Sequence, residues 1–112
     1  MAWITLFATL AEAEARVAVG QLFKVRLPGP PFRVLLLRRA DGTWRAFEDA
    51  CPHKKAAFSV GGYLNVAGEI VCPLHHYAFE LDTGQETTGQ ACPHLHILPI
   101  EAGPAGLRLK VY

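Results

Sequence analysis

A chain of 112 residues, 51% hydrophobic and with a formal net charge of +1, is long enough for one folded domain with a modest core. A charge balance so close to zero gives no support to nucleic-acid binding, which draws on a strongly basic surface. No apolar run reaches the length of a membrane span, so neither nucleic acid nor membrane is an expected partner.

The start, "MAWITLFATLA", is apolar but lacks the basic residues of a secretory leader, since the first arginine is Arg16. Trp3–Phe7 is therefore predicted as a strand, followed by a short helical turn over Thr9–Ala15. Arg16–Val19 and Leu22–Leu27 carry β-branched and aromatic residues and are predicted as strands. "PGPP" at 28–31 is predicted as a turn, because consecutive prolines cannot continue a central strand. Phe32–Arg38 is an almost continuous apolar run and is predicted as a buried strand. "ADG" at 40–42 is a hairpin signal, with Thr43–Glu48 returning as the next strand.

Short strands are predicted at Glu69–Val71 and Ala78–Leu81, after the Gly-containing stretch "SVGGYLNVAGEIV". A loop, "TGQETTGQACPH", leads to final strands at His96–Ile100 and Leu107–Val111. No long amphipathic helix is expected. Many short strands at close spacing predict an all-β, antiparallel sandwich or barrel. The whole chain, 1–112, is expected to be one domain, with a small Cys/His-bearing insert over about 49–84.

Three cysteines cannot all pair as disulfides within the chain. A reducing, cytoplasmic setting and a metal role are expected instead. Asn65 and Ser59 are the chain's single asparagine and single serine, a depletion associated with thermophilic proteins.

Four residues stand at metal-ligand spacing: Cys51 and His53 in "CPH", Cys72 and His75 in "CPLH". Each pair follows a predicted strand. The prolines restrict the backbone, so each pair can be presented with little freedom left to lose. Two sulfurs and two imidazoles suit either a tetrahedral zinc or a binuclear iron–sulfur cluster with two thiolates on one iron and two imidazoles on the other. Zinc fingers usually group their cysteines in one place and their histidines in another. Here each loop supplies one of each, so side-by-side loops would segregate sulfur from nitrogen.

"CPH" followed by "CPLHHYAFELDTG" resembles the Rieske [2Fe-2S] ferredoxin family, including the aromatic-acidic-Gly tail of its second loop. The resemblance implies a β base with a small cluster-binding subdomain. It implies Cys51 and Cys72 on one iron, His53 and His75 on the other, and bridging sulfides. "ACPH" recurs at 91–94, but no C-x-x-H follows it. Cys92 and His94 are therefore expected to be non-ligands, and the resemblance implies that Pro93 belongs to a loop that covers the cluster.

High-potential relatives carry a disulfide where this chain has Ala56 and Leu74. They carry hydroxyl donors where it has Tyr77 and Phe79. The phenol of Tyr77 reaches farther than a serine hydroxyl and is expected to point away from the sulfurs. Loss of those donors predicts a potential near the low end of the Rieske range, about −150 mV. The implied role is a soluble electron carrier between a reductase and a terminal oxidoreductase such as a ring-hydroxylating oxygenase. Lys54, Lys55 and His76 would give a basic rim for an acidic partner. The small subunit of an assimilatory NAD(P)H nitrite reductase, and a zinc-stabilised β interaction module, are the alternatives. Catalysis by the chain alone is not expected.

Overall fold

The structure is a computed structural model that describes residues 2–27, 29 and 32–111. The expected "PGPP" turn lies outside the described residues except for Gly29. Ten strands and one helix are present among the described residues. Every strand–strand pairing among them is antiparallel.

They form three sheets. The first orders β1 (Ala2–Phe7), β10 (Gly106–Val111) and β9 (Ile100–Gly103) side by side. The second runs β2 (Phe23–Val25), β3 (Val34–Arg38), β4 (Trp44–Glu48), β8 (Ile97–Leu98). The third is a small sheet of β5 (Tyr63–Leu64), β6 (Ile70–Val71) and β7 (Ala78–Phe79).

The second sheet is the middle layer, and β3 shows why. Its side chains alternate between faces with a period of two. Val34 and Leu36 join Trp44, Ala46 and Leu98 in one core, packed on Phe7, Leu107 and Leu109 of the first sheet. Leu35 and Leu37 join Phe47 in a second core, packed on Phe58, Ile70, Phe79, Leu81 and Leu95. A strand with both faces covered has no polar side to present, hence the continuous apolar run "VLLL".

Helix α1 (Leu10–Arg16) starts where Thr9 accepts the Glu12 N–H at 3.1 Å, a side-chain N-cap. It corrects the expected strand at Arg16–Val19. Ala13 and Val17 lie four residues apart and are both buried in the first core, so burying that face favours helix over strand. The Arg38 guanidinium donates to the carbonyls of Glu14 and Val17, each at 3.2 Å, taking up acceptors the helix end leaves free. Only Val19 pairs, in an isolated bridge to Arg38.

The "ADG" turn forms as expected. Asp41 accepts the Thr43 N–H at 2.9 Å and its hydroxyl at 2.6 Å, and Gly42 closes the turn with φ 88°. The expected final strand at 96–100 divides in two at Pro99, which has no N–H to give a ladder. Its carbonyl takes the Lys110 N–H at 2.9 Å.

Asp82 ties the third sheet's end to the middle layer. Its carboxylate accepts from Arg39 at 3.0 Å and from Arg45 at 2.6 Å. Those two guanidiniums hold it below the usual carboxylate range, Arg45 first. No helix among the described residues is long and apolar enough to cross a membrane.

Candidate metal centre

The two Cys/His loops have the same backbone geometry. Loop 51–56 follows β4, and loop 72–77 joins β6 to β7. In the first, the Cys51 N–H donates to the Ala56 carbonyl at 2.8 Å and Lys55 N–H to the Cys51 carbonyl at 2.6 Å. In the second, Cys72 donates to Tyr77 at 2.8 Å and His76 to Cys72 at 2.9 Å. Lys55 and His76 hold the same place in each loop and have φ 60° and 59°. That left-handed conformation is unfavourable for a residue with a side chain and persists because each turn is closed twice.

The loops differ in one respect. His53 is the third residue of its loop and His75 the fourth of its own. The offset lets the two rings meet, with centroids 5.0 Å apart and planes at 69°.

The sulfurs lie inside and the imidazole rings nearer the surface. Cys51 and Cys72 are 0% and 1% exposed, whereas His53 is half-buried and His75 exposed. The N–H groups of His53 and Lys54 point at the Cys51 sulfur, and the Cys72 thiol lies beside it. Burial, with the neighbouring thiol, pushes the Cys51 thiol up despite those donors. Without a cation the Cys51 thiol stays protonated; a metal would be needed to hold it as thiolate.

Burial first, then the charges of His75 and Lys54, pushes the His53 imidazole down, toward the neutral form that ligates metal. Its Nδ1 is buried and has no hydrogen-bond partner. A buried polar atom left unpaired costs stability, and a coordinated iron would satisfy it.

Among the described residues, no three of His, Cys, Asp and Glu converge on a point where they could share one ion. A thiol pair, Cys51 beside Cys72, and an imidazole pair, His53 beside His75, match a group with two metal atoms, sulfur at one and imidazole at the other. The donor set therefore fits a [2Fe-2S] cluster.

Three contacts built around these loops are not evident from the ligand motif. The buried Asp49, two residues before Cys51, accepts the Ser59 N–H at 2.9 Å and its hydroxyl at 2.6 Å. The chain's single serine thereby closes the first loop. Buried Glu86 accepts N–H groups from Ala78, Thr88 and Gln90 at 3.2, 2.9 and 2.8 Å, together with the Thr88 hydroxyl. Tyr77 places its ring over His53, centroids 4.4 Å apart and planes at 26°.

Phe79 stands in the second core, edge-on to Phe58 at 6.1 Å. Phe58 in turn stands edge-on to Phe47 at 6.0 Å. This aromatic row floors the loops.

The segment after β7 explains the "DTG" tail. Gly84 has φ 80°, and a Cβ there would lie 2.2 Å from the Leu95 carbonyl oxygen. Only glycine lets the second loop's tail approach the segment bearing the second "ACPH" so closely. Leu95 is buried in the second core, Cys92 is half-buried against it, and Pro93 and His94 are exposed. Burial, then the Glu86 charge, pushes the Cys92 thiol up, so it stays a neutral, partly packed side chain. All three cysteines are free of disulfides.

A β frame holding two matched loops, with buried thiols and outward imidazoles, defines an iron–sulfur binding domain of the mixed Cys/His kind. The family model described as the Rieske [2Fe-2S] domain matches residues 8–99. The chain belongs to the Rieske [2Fe-2S] domain family, whose cofactor is that cluster.

It is 38% identical over 61 residues to the biphenyl dioxygenase ferredoxin subunit of Pseudomonas sp. strain KKS102, covering 54% of each chain. It is 29% identical over 70 residues to the ferredoxin component of the alkene monooxygenase system of Xanthobacter autotrophicus, covering 62% of this chain and 57% of that one. The match thus spans little more than half the length of these relatives. In fold it is similar to the ferredoxin of carbazole 1,9a-dioxygenase from Nocardioides aromaticivorans IC177, with TM-score 0.75, 21% identity and 97% of each chain covered. It is likewise similar to a protein described as the small subunit of an NADH-dependent nitrite reductase from Mycobacterium tuberculosis, with TM-score 0.76, 23% identity, and 99% of this chain and 96% of that one covered.

Proposed function

We propose that this chain is a low-potential Rieske ferredoxin that carries single electrons between a reductase and a terminal oxidoreductase, such as a ring-hydroxylating oxygenase. Cys51 and Cys72 hold one iron and His53 and His75 the other. The cluster, when bound, supplies the one-electron redox couple. The observation that carries this reading is the segregation of a buried thiol pair from an outward imidazole pair. The imidazoles are the short way out for an electron. The ferredoxin components among the relatives support the carrier role.

A surface for a partner surrounds the outward pair. Leu74 and Val60 are 58% and 70% exposed. A Cβ added at Gly61 would lie 3.3 Å from Pro73, so their two segments adjoin. Lys54, Lys55 and His76 are exposed in the same loops. An apolar centre with a basic rim suits an acidic protein partner. The chain is read as one Rieske domain, its cluster-binding part covering about 49–84, and as a soluble cytoplasmic protein.

The fold likeness to a nitrite reductase small subunit favours a second reading, in which the same cluster serves a reductase as its small subunit. A potentiometric titration tests the carrier reading. It predicts a reversible one-electron couple near −150 mV, the approximate low end for Rieske centres. A midpoint above zero contradicts it. Affinity capture on the loaded protein separates the two partners: an oxygenase supports the carrier, a sirohaem reductase the subunit.

A further inference from the structure

We propose that Tyr77 is a positioning residue that locks one cluster ligand, His53, and leaves the other, His75, unlocked. This rests on the ligand set proposed above. The tyrosine belongs to the second loop and the histidine to the first, so their stack joins the loops across the site.

The anchor side of the stack is fixed. The Tyr77 carbonyl takes the Cys72 N–H at 2.8 Å, and its half-buried ring packs against the second core. The preceding residue, His76, has φ 59°, which turns the chain so that Tyr77 follows the bend. On the other side, the His53 ring has Tyr77 against one face, at 4.4 Å and 26°, and the edge of His75 at 5.0 Å and 69°. Turning that imidazole about its ring axis would break the stack. Its buried, unpartnered Nδ1 is thereby held in one direction.

Among the described residues, His75 has no equivalent ring stacked on its face. Tyr77 meets it only at 6.1 Å and 49°, and His75 is exposed where His53 is half-buried. The two imidazoles are thus unequal before any metal binds. Stacking depends on the flat ring, so the phenol oxygen is dispensable and the ring is not.

The test compares loaded wild type with Tyr77→Phe and Tyr77→Leu by pulsed EPR of the reduced cluster, which resolves the couplings of ligand nitrogens. Wild type should show two histidine nitrogens. Y77F should keep both couplings. Y77L should shift one and leave the other in place. Iron release to a chelator should quicken by about two- to twelve-fold in Y77L, the range an aromatic pair confers, and stay at the wild-type rate in Y77F. A purely structural role would quicken release yet leave both couplings unmoved, so unchanged couplings in Y77L overturn the proposal. Equal shifts of both overturn it too. A wild-type spectrum without histidine nitrogen would instead overturn the ligand set, and this inference with it. Tyr77→Met, an unbranched and adaptable side chain without a flat ring, carries the same comparison if Y77L does not retain iron.

Discussion

Gly84→Ala is expected to be among the most damaging single-methyl changes in the chain. Alanine at φ 80° costs about 1–2 kcal/mol from backbone sterics alone. The new Cβ would also lie 2.2 Å from the Leu95 carbonyl oxygen and 3.1 Å from its carbon, so backbone must move. That movement strains two hydrogen bonds, Gly84 N–H to the Glu80 carbonyl and Leu95 N–H to the Gly84 carbonyl, each 2.7 Å. Each is worth about 0.5–1.5 kcal/mol. The sum is about 2–5 kcal/mol, a large share of a small domain's stability. Gly42→Ala is the control, since Gly42 has φ 88° with nothing within 4 Å of a Cβ. It should cost the backbone term only, about 1–2 kcal/mol. Urea unfolding at equal iron loading, read by Trp fluorescence and by cluster colour, measures both. A midpoint for G84A no lower than that for G42A would refute the steric reasoning.

Glu86→Gln should loosen the 86–90 turn and its tie to β7, because an amide nitrogen cannot accept the donors that converge on the carboxylate. Loss of two of the four bonds costs about 2–4 kcal/mol. Burial raises the Glu86 carboxyl, but the Thr88 hydroxyl and the N–H groups of Gln90, Thr88 and Ala78 outweigh it and hold it below its ordinary 4.5. Its contribution is therefore complete above 4.5 and lost as pH falls through the lower folded value. Urea midpoints should drop on acidification through that window more steeply in wild type than in E86Q; parallel profiles would contradict this. Removing iron with a chelator should increase hydrogen exchange at the amides of Cys51, Lys55, Cys72 and His76, while β3 and β4 stay protected. Equal loss of protection across both regions would show that the frame depends on the metal.

Much of the frame was readable because patterning and chemistry agreed there. β3 announced its double burial as an apolar run, and "ADG" its turn through the Asp41 side chain. The ligand spacing was legible because Cys and His at C-x-H and C-x-x-H are costly to place without a purpose. Elements whose reasons lie far along the chain were not. The helix reached Arg16 because Arg38, twenty-two residues later, takes up its terminal carbonyls. β5 has two residues, with Tyr63 exposed, and no periodicity can show in so short a strand. Its hairpin rests on Asn65, whose side chain accepts the N–H groups of Ala67 and Glu69 at 3.0 Å each. Composition did hold a signal: a chain with one Asn and one Ser spends both on turn-closing side-chain contacts, Ser59 on Asp49 next to the first loop and Asn65 in the β5–β6 hairpin. The Tyr77 stack depends on the offset of the two histidines within matched loops, which becomes visible only when the loops are set face to face.

The most direct measurement is an EPR spectrum of the dithionite-reduced protein, with iron and zinc determined on the same sample. Cysteine pairs on one iron and histidine pairs on the other predict a rhombic signal of low average g and a two-iron centre without zinc. A silent spectrum with one zinc in place of iron would contradict the account and leave the Cys/His loops as a structural metal site.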